Sequence, residues 1–77
     1  MAKQMTQAQK ISKIAIRMAQ DVNAYFALFH KETPGTSLYD IFYAKWDITS
    51  ELLMMYCDTF KIDRDALLDN PLTQYEG

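Results

Sequence analysis

The chain has 77 residues, of which 49% are hydrophobic and 13% aromatic, and its net charge is −2. A chain of this length forms one domain with a small core, which excludes a multidomain protein. Its single cysteine excludes an internal disulfide, and its longest apolar run, Leu52–Cys57, is too short to span a membrane. The first residues lack the apolar core of a signal peptide. We therefore expect a soluble, cytoplasmic protein in which Cys57 is a buried, inert thiol.

The first helix is predicted from apolar residues that recur at alternating steps of four and three. They are Ile11, Ala15, Met18, Val22, Tyr25 and Phe29. This spacing lines one side of an α-helix and predicts that the helix packs against another one. Thr6 followed by Gln9 has the pattern of a capping box. The sequence therefore predicts a long N-terminal helix over about residues 6–31.

A second helix is predicted after the sequence Thr33-Pro34-Gly35-Thr36, which is typical of a type II turn. Ser37 is the predicted N-cap, and helix 2 then covers about residues 37–46. Asp47, with Thr49 and Ser50 behind it, has the pattern of a further N-cap and predicts helix 3 over about residues 48–60. Alternatively, the two pieces form one bent helix. We favour two pieces.

The C-terminal part is predicted to contain one short helix. Asp63 is its expected N-cap, and the helix covers about residues 64–69 because Asn70 precedes a proline and is pushed out of the helical region. The last residues, 72–77, are expected to be loose, although Leu72 and Tyr75 could fold back onto the helices. The predicted fold is all-α, a small three- or four-helix bundle of residues 1–77 that forms a dimer.

Helix 2 is the predicted partner-binding element because its apolar residues spread over an arc of roughly 220°, whereas a surface helix usually shows little more than 100°. Such a helix must be covered from two directions, and a second molecule can supply one of them. Aromatic residues are the types that anchor protein interfaces. The predicted partner-binding residues are Tyr39, Phe42, Tyr43 and Trp46. The alternative is that helix 2 is the central helix of the fold, covered by its neighbours.

Charge is distributed unevenly along the chain. Residues 1–39 carry five basic and two acidic side chains, whereas residues 40–77 carry three and eight. This asymmetry predicts pairing within the chain, between two copies, or with a partner of opposite sign.

Four basic residues cluster within about 80° of one another on helix 1, namely Lys3, Lys10, Lys13 and Arg17. They can follow a phosphate backbone, which makes a nucleic-acid-associated regulator the alternative function. The competing interpretation is a solvated helix face in which Arg17 pairs with Asp21.

The sequence contains no recognisable catalytic or metal-binding set. His30 is the only histidine, and Cys57 lies in a different, apolar helix. Gly35 and Gly77 are the only glycines, which excludes a glycine-rich phosphate loop. The acidic residues between Asp58 and Asp69 do not fit the spacing of a calcium loop. We therefore predict no catalytic, cofactor or metal site, and a non-enzymatic protein–protein interaction module, a small regulator, adaptor or inhibitor that forms a homodimer.

Overall fold

The computed structural model describes residues 4–76 and consists of two long helices followed by a short one. Helix α1 spans Gln7–His30, α2 spans Ser37–Phe60 and α3 spans Arg64–Asp69, with a 3₁₀ turn at Pro71–Thr73. The described residues contain no strand, so the all-α class is confirmed. The two long helices run antiparallel as a hairpin, since Tyr56 meets Ile11 at one end and Phe29 meets Tyr39 at the other.

Helix α1 begins where its capping box predicts. The Thr6 hydroxyl accepts a hydrogen bond from the Gln9 backbone N–H at 3.1 Å, and the Gln9 side chain accepts one from the Thr6 N–H at 2.8 Å. Ala15, Val22 and Phe29 are buried, as their spacing predicts. The long N-terminal helix is present, but Ile11, Met18 and Tyr25 of the predicted seam are only partly buried, and Ala19, which was not predicted, is buried.

The turn between α1 and α2 also follows the prediction. The Thr36 N–H donates to the Thr33 carbonyl at 3.2 Å, and Gly35 has a φ of 92°, which glycine adopts without strain. The N-cap, however, is Thr36 and not Ser37, since the Thr36 hydroxyl accepts from the Tyr39 N–H at 3.3 Å. The predicted cap is wrong by one residue.

Helix α2 is continuous from Ser37 to Phe60, so the prediction of separate pieces at 37–46 and 48–60 is wrong. Asp47, Thr49 and Ser50 have the chemistry of capping residues, but no glycine or proline lies among residues 37–60 to stop the helix. Each such residue costs only about 0.7 kcal/mol or less in a helix interior. Pairing along the full length of α1, which also has 24 residues, outweighs that cost.

The end of α2 is set by Lys61, which takes a left-handed conformation with φ 58° and ψ 45°. The N–H of the next residue, Ile62, donates to the Cys57 carbonyl at 2.9 Å and closes the helix. Asp63 then caps α3 through a 3.2 Å hydrogen bond from the Ala66 N–H. Helix α3 ends before Pro71, as predicted.

The segment after α3 folds back onto α1, which corrects the expectation of a loose C-terminus. Thr73 is completely buried. The Asn23 side-chain amide lies within hydrogen-bond distance of the Thr73 carbonyl, at 2.9 Å, and of the Leu68 carbonyl, at 3.1 Å. Leu72, in contrast, is 65% exposed, so Thr73 and the backbone make the attachment. These polar contacts hold the 3₁₀ turn against one side of the hairpin.

The core lies between the two long helices and α3. Its buried centre is formed by Ala19, Val22, Leu53 and Cys57, and Ile62, Leu67 and Leu68 pack against it from the C-terminal segment. The chain therefore covers one side of its helical hairpin with its own C-terminal residues. Whether two such chains form a dimer stays a prediction.

Candidate protein-interaction surface

The helical hairpin has two sides, and the chain covers only one of them. On α1, Asn23 binds the C-terminal segment, and Ile14 lies nine residues away, roughly 180° around the helix. On α2, Cys57 is in the core beside the residues of α3, and Ile48 again lies nine residues and roughly 180° away. Ile14 and Ile48 are exposed. They therefore mark the side of the hairpin that faces away from α3.

This side carries six exposed apolar residues, which we call the open face. Its members are Ile14 from α1 and Leu38, Ile41, Ile48, Leu52 and Met55 from α2. The exposed fraction lies between 49% for Ile14 and 60% for Ile48. Together with Lys45, the α2 residues follow steps of three and four, the spacing by which one helix packs along another.

Lys45 is the only charged residue in the stripe of α2, and it bends towards α1. Its ammonium nitrogen lies 5.8 Å from the centre of the Tyr25 ring, a cation–π contact. Tyr25 thus shows which side of α1 borders the open face. Because the long stem of Lys45 is itself apolar, the apolar strip along α2 is interrupted only at the ammonium group.

Two rows of charge border the open face on its outer sides. On α2 the acidic edge consists of Asp40, Asp47, Glu51 and Asp58, which lie within roughly 40° of one another and are all exposed. On α1 the basic edge consists of Lys10, Lys13 and Arg17, also exposed. The face therefore has a negative border and a positive border. Within the basic edge, the Arg17 Nε lies 3.7 Å from an Asp21 carboxylate oxygen, as the sequence predicts.

Three of the four aromatic residues of the predicted partner-binding site cluster around Phe29 between the two helices. The ring centre of Phe29 lies 5.6 Å from that of Tyr39, 5.2 Å from that of Tyr43 and 5.5 Å from that of Trp46. Tyr39, Phe42 and Trp46 are half-buried, and only Tyr43, at 45%, is exposed. These contacts fit the alternative in which the aromatic residues belong to the fold. Partner binding by them stays a prediction.

The residues proposed for nucleic-acid binding are only partly placed. Lys3 lies outside the described residues. Lys10, Lys13 and Arg17 lie on the same outward side of α1, as their spacing predicts, and all three are exposed. The structure therefore places three cations together, in the row that borders the open face.

The residues of α2 in the open face belong to the wide apolar arc predicted for helix 2 and to the Met-rich segment 52–56, which was also predicted to bury against a partner, but the sequence did not single them out as one exposed stripe. Leu38, Ile41, Lys45, Ile48, Leu52 and Met55 follow the same steps of three and four that identified the seam of α1. The wide apolar arc of α2 hid this stripe, because the aromatic residues on another side of the helix are the usual anchors of interfaces. Only the packing of α1 and α3 shows which part of the arc stays uncovered.

Cys57 and His30 are the two residues that the sequence offered as a nucleophile and a base. Cys57 is buried, and loss of hydration raises the pKa of its thiol, with Arg64 acting in the opposite direction and Asp58 and Asp63 adding to the rise. A thiol with a raised pKa is a poor nucleophile at neutral pH. The His30 Nδ1 lies 2.9 Å from the Phe26 carbonyl, one turn back in its own helix.

Comparison of the chain with protein-family models, with curated proteins and with solved structures finds no match. Within residues 4–76, no group of three or more histidine, cysteine or acidic side chains is placed to hold a metal ion. No helix in this part of the chain is both long enough and apolar enough to cross a membrane.

Proposed function

We propose that this chain is a non-enzymatic protein–protein interaction module, a small regulator, adaptor or inhibitor, that self-associates and binds through its open face. The observation that carries the proposal is the row of five exposed apolar residues on α2, aligned at the spacing of a helix–helix seam. Soluble monomers rarely expose an apolar strip that continues along a whole helix. Removing such side chains from water is the main driving force of protein association.

The aromatic cluster contributes to this function indirectly. Its rings pack around Phe29 and fix α1 and α2 relative to each other near the turn. A surface that is already rigid loses less conformational freedom when it binds. Tyr43 is the one member of the predicted aromatic site with an exposed ring, and it is the residue through which that site is best tested.

The experiment compares the association of three variants with that of the wild-type chain by sedimentation velocity. Ile48→Asp introduces a charge at the most exposed residue of the open face and is expected to abolish association without loss of helical circular dichroism. Met54→Asp is the matched control, because Met54 is exposed on α2 but lies roughly 120° from Ile48. It is expected to associate like wild type.

Tyr43→Ala tests the aromatic alternative in the same assay and is expected to leave association nearly unchanged. The proposal is wrong if Ile48→Asp associates as well as wild type. Should Tyr43→Ala be the variant that loses association, the aromatic residues and not the open face form the binding site.

Nucleic-acid binding by the basic edge stays a prediction. Its test is the binding of duplex DNA and of single-stranded RNA at low and high salt, with Lys10, Lys13 and Arg17 changed to glutamine. Binding that weakens steeply with salt and disappears in the variant would support it. Under the proposed function, neither nucleic acid binds.

A further inference from the structure

The pairing of the two long helices fixes which charges of the two edges lie at the same height along the hairpin. The Tyr56 hydroxyl donates to the Ile11 carbonyl at 2.8 Å, so these two residues are level. In an antiparallel pair, each step forward along α1 corresponds to a step backward along α2. Lys10 therefore lies near the height of Asp58 and Arg17 near that of Glu51, each to within about one helical turn of 5.4 Å.

These level charges lie on opposite outer borders of the open face and do not meet within one chain. The basic edge, with Asp21 beside Arg17 as its one acidic neighbour, borders the face along α1, and the acidic edge borders it along α2. A second molecule laid on the open face meets both borders at once. The signs of the two borders therefore distinguish between the ways in which a second copy can be placed.

Two symmetric arrangements bring two open faces together. If the two-fold axis runs parallel to the helices, α1 of each copy lies against α2 of the other. Residues that are level within one chain are then also level across the interface. If the axis runs across the helices, α2 lies against α2 and the two acidic edges face each other. The first arrangement joins borders of opposite sign, whereas the second places like charges together, which is unfavourable.

We propose that the open face binds a second copy of this chain about a two-fold axis parallel to the helices, so that two hairpins form a four-helix bundle. In this dimer, Lys10 faces Asp58 of the partner subunit, and Arg17 faces Glu51 of the partner subunit. By the same pairing Ile14 lies near Leu53, between two residues of the open face, and packs against Leu52 and Met55 of the partner subunit. The inference rests on the proposed function and adds the identity and orientation of the partner.

A charge-reversal cycle tests this arrangement. One variant carries Lys10→Glu and Arg17→Glu, a second carries Glu51→Lys and Asp58→Lys, and a third carries all four changes. In each of the first two variants, the charges that face each other across the interface have the same sign. Each is therefore expected to weaken dimerisation at least about tenfold at low salt. The variant with all four substitutions restores opposite signs across the interface. Its dissociation constant is expected to lie within about threefold of that of wild type.

Lys13→Glu is the matched control on α1, because Lys13 lies roughly 60° further from the open face than Lys10. It is expected to change the dissociation constant less than about threefold. Circular dichroism of every variant, measured below its dissociation constant, confirms that the monomer keeps its helices.

The outcomes separate this inference from the proposed function. Suppose that wild type dimerises and Ile48→Asp abolishes dimerisation, but the variant with four substitutions dimerises no more tightly than the two double variants. The open face is then the interface, and the proposed orientation is wrong. If wild type does not associate at any concentration, both self-association and the inference are wrong. The inference is supported only if the variant with four substitutions regains the dimerisation that both double variants lose.

Discussion

The two sides of the helical hairpin both carry apolar residues of α2, but these residues are buried on one side and exposed on the other. On the side of α3, Leu53 and Cys57 are buried under the C-terminal segment. On the open face, Leu52 and Ile48 of the same helix are at least half exposed. What distinguishes the two sides is whether the chain supplies a segment to cover their apolar surface.

The covering segment is attached by polar groups as well as by apolar packing. The Asn23 amide reaches two backbone carbonyls, and the completely buried Thr73 hydroxyl lies 2.9 Å from the Leu67 carbonyl. Among the described residues, no buried side-chain nitrogen or oxygen lacks a hydrogen-bond partner. The buried polar side chains of the covered side are thus satisfied within the chain, whereas the open face still has apolar surface to bury.

The sharpest test of this comparison uses two neighbouring leucines. Leu53→Ala leaves a cavity in the core and is expected to lower the free energy of unfolding by about 2–5 kcal/mol, which is enough to unfold a domain of this size. Leu52→Ala makes the same chemical change on the open face and is expected to cost less than about 0.5 kcal/mol in the monomer. Urea denaturation at a concentration below the dimer dissociation constant measures both.

Equal losses of stability at the two leucines would contradict the distinction between a covered and an open side. A second difference is expected in the association assay. Leu52→Ala weakens dimerisation, because the removed side chain lies in the proposed interface, while its monomer stays folded.

A smaller effect is expected when the polar attachment of the covering segment is removed. Asn23→Ala leaves the Thr73 carbonyl without its amide donor, removes one of the donors to the Leu68 carbonyl, and is expected to cost about 1–3 kcal/mol. Gln20→Ala removes a similar hydrogen bond, from its amide to the Leu72 carbonyl, but at an exposed position. It is expected to cost less than about 0.5 kcal/mol. Thermal unfolding of both variants shows whether burial of the hydrogen bond matters, and comparable costs would mean that it does not.

A stabilising change is expected at the junction between α2 and the covering segment. Lys61 holds a left-handed backbone conformation that strains a residue with a Cβ atom. Lys61→Gly removes that strain and is expected to raise the free energy of unfolding by about 0.5–1 kcal/mol. Lys61→Ala, the control, keeps the Cβ atom and is expected to gain nothing. If glycine destabilises the protein, the left-handed turn does not lead the chain into α3 as described.

The smallest expected effect concerns alkaline pH. Burial raises the pKa of the Cys57 thiol, so the unfolded chain releases this proton at a lower pH than the folded one. The contribution to stability is fully present below the pKa of the unfolded thiol and is lost as the pH rises towards the folded pKa. Comparing Cys57→Ala with wild type in urea denaturation over this range is expected to show a shallower decline for the variant. Parallel declines would mean that the thiol is equally hydrated in both states.

Local signals in the sequence predicted the observed ends of the helices to within about one residue, but not the continuity of α2. Thr6, Gly35, Asp63 and Pro71 act on neighbouring backbone, and each lies where its chemistry predicts a cap, a turn or a stop. The continuity of α2 at Asp47 depends instead on packing against α1, which local chemistry does not encode.

The site was less predictable, because burial depends on contacts between distant parts of the chain. Asn23 and Thr73 are 50 residues apart, and no local pattern announces their hydrogen bond. For the same reason, the sequence displayed the stripe of Ile41, Ile48 and Leu52 without showing that it stays exposed. The aromatic residues of helix 2 were predicted to bind a partner instead, and several of them pack around Phe29.

The most direct test of the open face is the molar mass of the purified wild-type chain, measured by light scattering across a concentration series. The chain has a mass of 9.0 kDa. We predict that the measured mass rises with concentration to twice this value and stays there, because a closed two-fold dimer leaves no open face for a third copy. A mass that stays at one chain at every concentration would contradict self-association, and a mass that rises beyond the dimer would contradict the closed arrangement.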